Sequence, residues 1–146
     1  MYIPDRLRQT VHLSEQAHAD ILDVSEVTYV ALAERFRHSI DVVHHVGLCV
    51  PASRLMVANL CHRGYSAAQV PIPRRLYHSY AQIPSEETGE GVVVDPTWQQ
   101  FLAAQLITPE MPKVLMGTSD EVVAMARSYG VGASKLDAYR PRVSGS

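Results

Sequence analysis

Residues 85–91, Ser-Glu-Glu-Thr-Gly-Glu-Gly, constrain the fold of this chain more than any other stretch. The run is polar, carries two glycines, and separates two segments of strand character, 76–83 and 92–95. A connection this short turns the chain back without room for a crossover helix, so the flanking strands are expected to pair as antiparallel neighbours. Upstream, 65–72 reads as a further strand, closed by Pro71 and Pro73, and 113–117 reads as a short edge strand.

The rest of the pattern is helical. Ser14-Glu15-Gln16-Ala17 has the form of a helix start, and Ala17, Ile21, Leu22 and Val24 supply a short apolar face. Ser25 is placed to cap a second helix, in which Val27, Val30, Ala31, Ala33 and Phe36 recur at near-helical intervals. Residues 40–48 form a connection of extended character. A third helix begins near Pro51, continues to His62 and stops at Gly64, a left-handed C-terminal cap. Its apolar positions fill more than one stripe, which predicts a central, largely buried helix. Thr118 or Ser119 caps a last helix over 120–129, with Asp120 and Glu121 where the helix dipole favours them. The expected class is α+β, with N-terminal helices and a central helix packed on a small antiparallel sheet. One domain is expected over residues 1–139, with 140–146 a loose tail.

The 146 residues fit one compact core, and the 47% hydrophobic and 19% charged content are ordinary for a globular chain. A formal charge of −2 gives no electrostatic reason to expect a nucleic-acid or membrane partner. The start, Met1-Tyr2-Ile3-Pro4-Asp5-Arg6, is charged and no apolar signal segment follows it. Cys49 and Cys61, if on one helix, lie about 18 Å apart, beyond the roughly 7 Å that a disulfide spans. Free thiols without an export signal point to a reducing, cytoplasmic setting.

Chemistry concentrates on Cys49, in Gly47-Leu48-Cys49-Val50-Pro51-Ala52-Ser53, where a loop enters the central helix. A thiol becomes a nucleophile when a helix N-terminus and an adjacent imidazole favour its thiolate. His78, on the strand before the 85–91 loop, is the candidate imidazole, and Asp95, ending the strand after it, is the carboxylate that fixes the second ring nitrogen. Cys61, at the far end of the helix, reads as core.

In this order the motifs resemble a known family. Gly47-Leu48-Cys49 before a helix, Arg63-Gly64-Tyr65-Ser66-Ala67-Ala68-Gln69-Val70 after it, then His78-Ser79-Tyr80-Ala81-Gln82-Ile83 and Val92-Val93-Val94-Asp95-Pro96-Thr97-Trp98 are similar to the transglutaminase-like (papain-like) core. The resemblance covers residues 47–101. Tyr80 stands where the family often has tryptophan, and 47–53 lacks an acidic or second aromatic residue found in many members. The resemblance implies a cysteine hydrolase or acyltransferase, with Cys49 as nucleophile, His78 as base and Asp95 as orienting acid. It also implies a thioester acyl-enzyme intermediate and a peptide, protein or carrier-bound acyl substrate. Tyr80, Trp98, His45 and Gln69 are the candidate substrate-side helpers, and no cofactor is implied.

Other readings of the same residues bound this one. A decayed site would leave a peptide- or protein-binding module on the same fold, marked by a buried, unreactive Cys49 or by a His78 turned away from it. His44-His45-x3-Cys49, with Cys61, His62 and His78, suggests zinc ligands, but the paired short spacings of structural zinc sites are missing, so no metal is expected. Arg74-Arg75 reads as a solvated pair, and Trp98 first of all as a core anchor.

Overall fold

The computed structural model describes residues 14–71, 78–84 and 91–140. The expectations for residues before Ser14, for Arg74-Arg75, for the body of the 85–91 loop and for the end of the tail lie outside these. Within them the chain is a mixed α+β structure of four helices and one four-stranded antiparallel sheet.

Helix α1 spans Glu15–Phe36, started by the Ser14 hydroxyl, which accepts the Ala17 N–H at 3.1 Å. Two helices were expected here, and there is one. Ser25 Oγ donates to Leu22 O at 2.7 Å and Thr28 Oγ1 to Val24 O at 2.8 Å. Turned back onto the preceding turn in this way, these hydroxyls travel inside a helix instead of starting a new one. The buried face is Ile21, Val24, Ser25, Thr28 and Leu32, whereas Val27 and Val30 stand about half exposed (54% and 51%).

The 40–48 connection is a run of turns and not extended. Val42 N–H donates to Ser39 O and His45 N–H to Val42 O, both at 3.1 Å. Ser39 Oγ accepts the Asp41 N–H at 3.2 Å, the local bond by which serine favours turns. The turns bury Val43 against Tyr29, Leu32 and Ala52 and deliver the chain to helix α2, Cys49–His62. Pro51 is therefore the third residue of α2, still within the first turn whose N–H groups have no intrahelical acceptor. Gly64, with φ of 94°, ends α2: Tyr65 N–H reaches Leu60 O and Gly64 N–H reaches Cys61 O, both at 3.0 Å. This pair of bonds needs a left-handed residue after the helix.

Strands β1 (Ala68–Pro71), β2 (Ser79–Pro84), β3 (Gly91–Asp95) and β4 (Leu115–Gly117) follow one another across the sheet in chain order. β2 and β3 pair antiparallel, with Ala81 opposite Val94 and Ile83 opposite Val92. β1 is shorter than the 65–72 run, because Tyr65 and its neighbours belong to the end of α2. There Tyr65 Oη donates to Asp20 at 2.5 Å and Arg63 pairs with the same carboxylate at 3.2 Å, tying α2 to α1.

Helix α2 packs on β1 and β2 and against α1, while helix α3 (Ser119–Tyr129) packs on β3 and β4. Consequently Val92, Val93, Val94 and Asp95 are buried without alternation. Thr118 and Glu121 close a reciprocal capping box on α3. Beyond α3, α4 (Ala133–Leu136) and a 3-10 turn, Asp137–Tyr139, return to the core through Leu136 and Tyr139.

Candidate active site

The site gathers residues from α2, the head of β2, the foot of β3 and the C-terminal 3-10 turn. Asp95 is the last residue of β3 and has no solvent exposure. His78 lies one residue before β2 and is 4% exposed. Extending the β2–β3 register past Ala81 and Val94 sets Tyr80 opposite Asp95, with His78 two positions further on the same face. A diagonal pair of this kind lies within reach of an imidazole. His78 Nε2 donates to Asp95 Oδ2 at 2.5 Å.

Two further donors hold the carboxylate. Thr97 N–H reaches Oδ1 at 3.0 Å, the turn that an aspartate makes with the backbone two residues on. Tyr139 Oη donates to Oδ2, the same oxygen that the imidazole uses. The three donors leave this buried charge fully hydrogen-bonded, as burial requires.

Cys49 opens helix α2 and is completely buried. Its sulfur is close enough to His78 to favour the charged ring. With Nε2 committed to Asp95, Nδ1 is the nitrogen left for that sulfur, and Nδ1 completes no hydrogen bond of ordinary geometry in this arrangement. Burial alone would push the His78 ring below its usual range. The Asp95 charge and hydrogen bond outweigh it, the Cys49 sulfur adds to them, and His78 is raised to about 9. At neutral pH the ring therefore carries its proton between a carboxylate and a sulfur. Phe101 packs on it with ring centroids 4.4 Å apart, and Tyr80 at 6.3 Å and Tyr139 at 6.2 Å complete the aromatic wall.

Neither a protein-family model, nor a curated protein, nor a solved structure matches this chain. What the site can do rests on its own atoms.

The other residues singled out from sequence take different places. Tyr80 is 4% exposed and packs tilted against both His78 and Tyr139, and burial, then the Asp95 charge, raises its phenol to about 12. Gln69 bridges β1, β2 and α2: its Nε2 donates to Ser79 Oγ at 2.9 Å and to Val50 O at 3.4 Å. One bond thus ties α2 to the sheet and the other joins β1 to β2. Trp98 is fully buried, with Nε1 donating to Pro112 O at 2.9 Å and its ring 5.4 Å from that of Tyr129. His45 lies beside His44 (ring centroids 4.8 Å apart), and both line a cavity of about 390 Å³ with Asp41, Gln99 and Lys113. Burial, then the neighbouring His45 and Lys113, lowers His44 to about 4.

Cys61 corrects an expectation. It is exposed and not part of the core, and it lines a separate cavity of about 580 Å³ with Tyr65, Gln82 and Gly91. Among the described residues no group of three or more histidine, cysteine, aspartate or glutamate side chains is arranged to hold a metal ion. Nor is any described helix long and apolar enough to cross a membrane.

Two contributors to the site were given no role in the sequence reading. Thr97 had a readable signal in Asp95-Pro96-Thr97, since Asp-Pro starts turns in which the carboxylate takes a later N–H. Tyr139 had none: it is 44 residues from its partner and belongs to no motif.

Proposed function

We propose that this chain is a cysteine-dependent acyl-transfer or hydrolysis enzyme with a transglutaminase-like core, working through a thioester on Cys49. The reading is carried by one observation: a buried imidazole held at 2.5 Å by a carboxylate on one nitrogen, with a helix-start cysteine beside the ring. In the reaction the Cys49 thiolate attacks an amide or thioester carbonyl, and the electron pair moves onto oxygen. The oxyanion sits at the N-terminus of α2, where the Cys49 backbone N–H and the helix dipole offset its charge. Collapse breaks the bond to the leaving amine or thiol, which takes its proton from the His78 imidazolium. Water or an amine then gives its proton to neutral His78 and attacks the thioester, the carbon–sulfur bond breaks, and the Cys49 thiolate leaves beside the re-formed imidazolium. Asp95 keeps the ring oriented and offsets its positive charge throughout.

A peptide, protein or carrier-bound acyl group in a cytoplasmic setting is the substrate class that fits this reading. Incubation with a panel of thioesters and short peptides, followed by intact-mass measurement, tests it. The expected result is a covalent adduct on Cys49 that Cys49→Ala abolishes and His78→Gln slows by about 100-fold or more. No adduct with any acyl donor, together with iodoacetamide labelling of Cys49 no faster than in the His78→Gln variant, overturns it.

One observation favours a second reading, an inert peptide- or protein-binding module on the same fold: Cys49 has no exposed surface. Labelling separates the two. The enzyme reading expects Cys49 to outpace the exposed Cys61 at neutral pH despite its burial, because reactivity follows thiolate character as well as access. The inert module labels at Cys61 alone.

A further inference from the structure

The Tyr139 phenol is fully buried, sits in the last turn of the described chain, and donates to Asp95 Oδ2. It therefore shares one oxygen with the imidazole N–H, while Oδ1 takes the Thr97 N–H. Nothing else in this stretch requires a phenol there: the ring alone packs 5.5 Å from Tyr80 and 6.2 Å from Phe101. A phenylalanine would fill the same space. The hydroxyl is thus the part of Tyr139 that packing does not explain.

We propose that Tyr139 is a positioning residue of this site, its phenol fixing the Asp95 carboxylate toward His78 and weakening the hold of that carboxylate on the imidazole proton. The inference deepens the enzyme reading and concerns the same site. A carboxylate oxygen that accepts two hydrogen bonds has its charge spread over both donors, so each is held less tightly. An imidazolium must give up its proton to the leaving group, and one held too firmly by aspartate is a poor acid. Tyr139 thereby brings His78 nearer to the working range. The phenol does not itself titrate in that range, because burial, then the Asp95 charge, pushes it well above the usual tyrosine value.

Among the described residues, the titratable groups that act on this couple come from α2, β2 and the C-terminal turn, while Phe101 and β4, at Leu115, bring only apolar side chains against it. Cys49 comes from α2, Tyr80 from β2, Asp95 from β3 and Tyr139 from the C-terminal turn. Tyr29, from α1, feels the Asp95 charge but spends its own hydroxyl on Pro96 O at 2.8 Å and Lys113 O at 3.2 Å.

The test follows the His78 ring by NMR as pH is raised, in full-length protein carrying Cys49→Ala so that the midpoint belongs to the imidazole–carboxylate couple. Tyr139→Phe is expected to raise that midpoint by about one pH unit, the size of one hydrogen bond to a charged group. Site-specific incorporation of 3-fluorotyrosine at 139, a stronger donor of the same shape, is expected to lower it. Opposite shifts from two variants that both keep the ring are not produced by a packing role. An unchanged midpoint in either variant, or shifts of the same sign, overturns the proposal. If Tyr139→Phe does not fold, the fluorotyrosine protein decides alone: a lowered midpoint supports the proposal and any other result overturns it. The measurement needs no substrate, so it fails or succeeds independently of whether Cys49 forms a thioester.

Discussion

Asp95 has no contact with water, and its charge is balanced by three donors from three parts of the chain: His78, Thr97 and Tyr139. Removing the carboxylate leaves a buried imidazole, a phenol and a backbone N–H without their acceptor. Breaking a buried pair from one side costs about 3–5 kcal/mol. We therefore expect Asp95→Ala to lower unfolding stability by about that much in urea titrations. Asp95→Asn, which keeps the shape and one acceptor oxygen, should cost clearly less. An Asp95→Ala loss below about 1 kcal/mol would show that the carboxylate is not held as described. The same residue shows what could be read from sequence. Cys49, His78 and Asp95 stood out because thiol nucleophiles need these residue types and because their order resembles that of the transglutaminase-like core, and the structure brings all three together. Cys61 was misjudged, since an apolar-looking helix position says nothing about whether the sheet reaches far enough to cover it. Tyr139 was invisible because nothing local marks a tyrosine whose purpose lies in another element.

At the scale of elements, two helix ends show the same backbone conformation with different residues in it. α1 ends in Arg37 at φ of 55°, where His38 N–H reaches Ala33 O at 3.1 Å, and α2 ends at Gly64 with φ of 94°. A residue with a Cβ is disfavoured by about 1–2 kcal/mol in this left-handed region. Glycine avoids that cost but loses about 0.5–1 kcal/mol more entropy on folding. Arg37→Gly is therefore expected to stabilise the fold by about 0.5 kcal/mol, and Gly64→Ala to destabilise it by about 1 kcal/mol. A Cβ at Gly64 meets nothing within 4 Å, so that loss is conformational and not a clash. Thermal melts of the two variants check both signs, and two shifts in the same direction would contradict the account. The glycine stop of α2 was legible because glycine is the usual residue there, and the α3 start because Asp120 and Glu121 follow a capping Thr118 or Ser119 where the helix dipole favours acids. The single α1 was not legible. A serine inside a helical run looks like a cap until one knows that its hydroxyl has a carbonyl behind it to bond. The turns of 40–48 were read as extended because valines in series suggest a strand, and Val43 is buried in a turn instead.

For the molecule as a whole, the pairing of β2 with β3 was open to sequence because one short polar loop joins them, whereas the full strand order was not, since residues 96–114 separate β3 from β4. Nor was the closure of the C-terminal segment over Asp95, since it depends on packing between ends far apart in sequence. That closure and the loop before α2 also give the fold a stability that depends on pH from both sides. His78 is raised to about 9 from an ordinary 6.5, so between these values the native state binds more protons than the unfolded chain. Its contribution is complete below pH 6.5 and is lost as pH climbs through 9. A tenfold change in proton affinity is worth about 1.4 kcal/mol, which makes the loss about 3 kcal/mol. His44 acts with the opposite sign. It is lowered to about 4, so the unfolded chain binds more protons between pH 4 and 6.5, and the neutral ring's contribution is lost as pH falls across that range. The two slopes meet near pH 6.5, where stability should peak. Melting temperature measured from pH 4 to pH 9.5 is expected to rise and then fall, with His44→Gln flattening the acid side and His78→Gln the alkaline side. If His78→Gln leaves the alkaline slope as steep as before, the proton between Asp95 and Cys49 is not where the fold stores that stability.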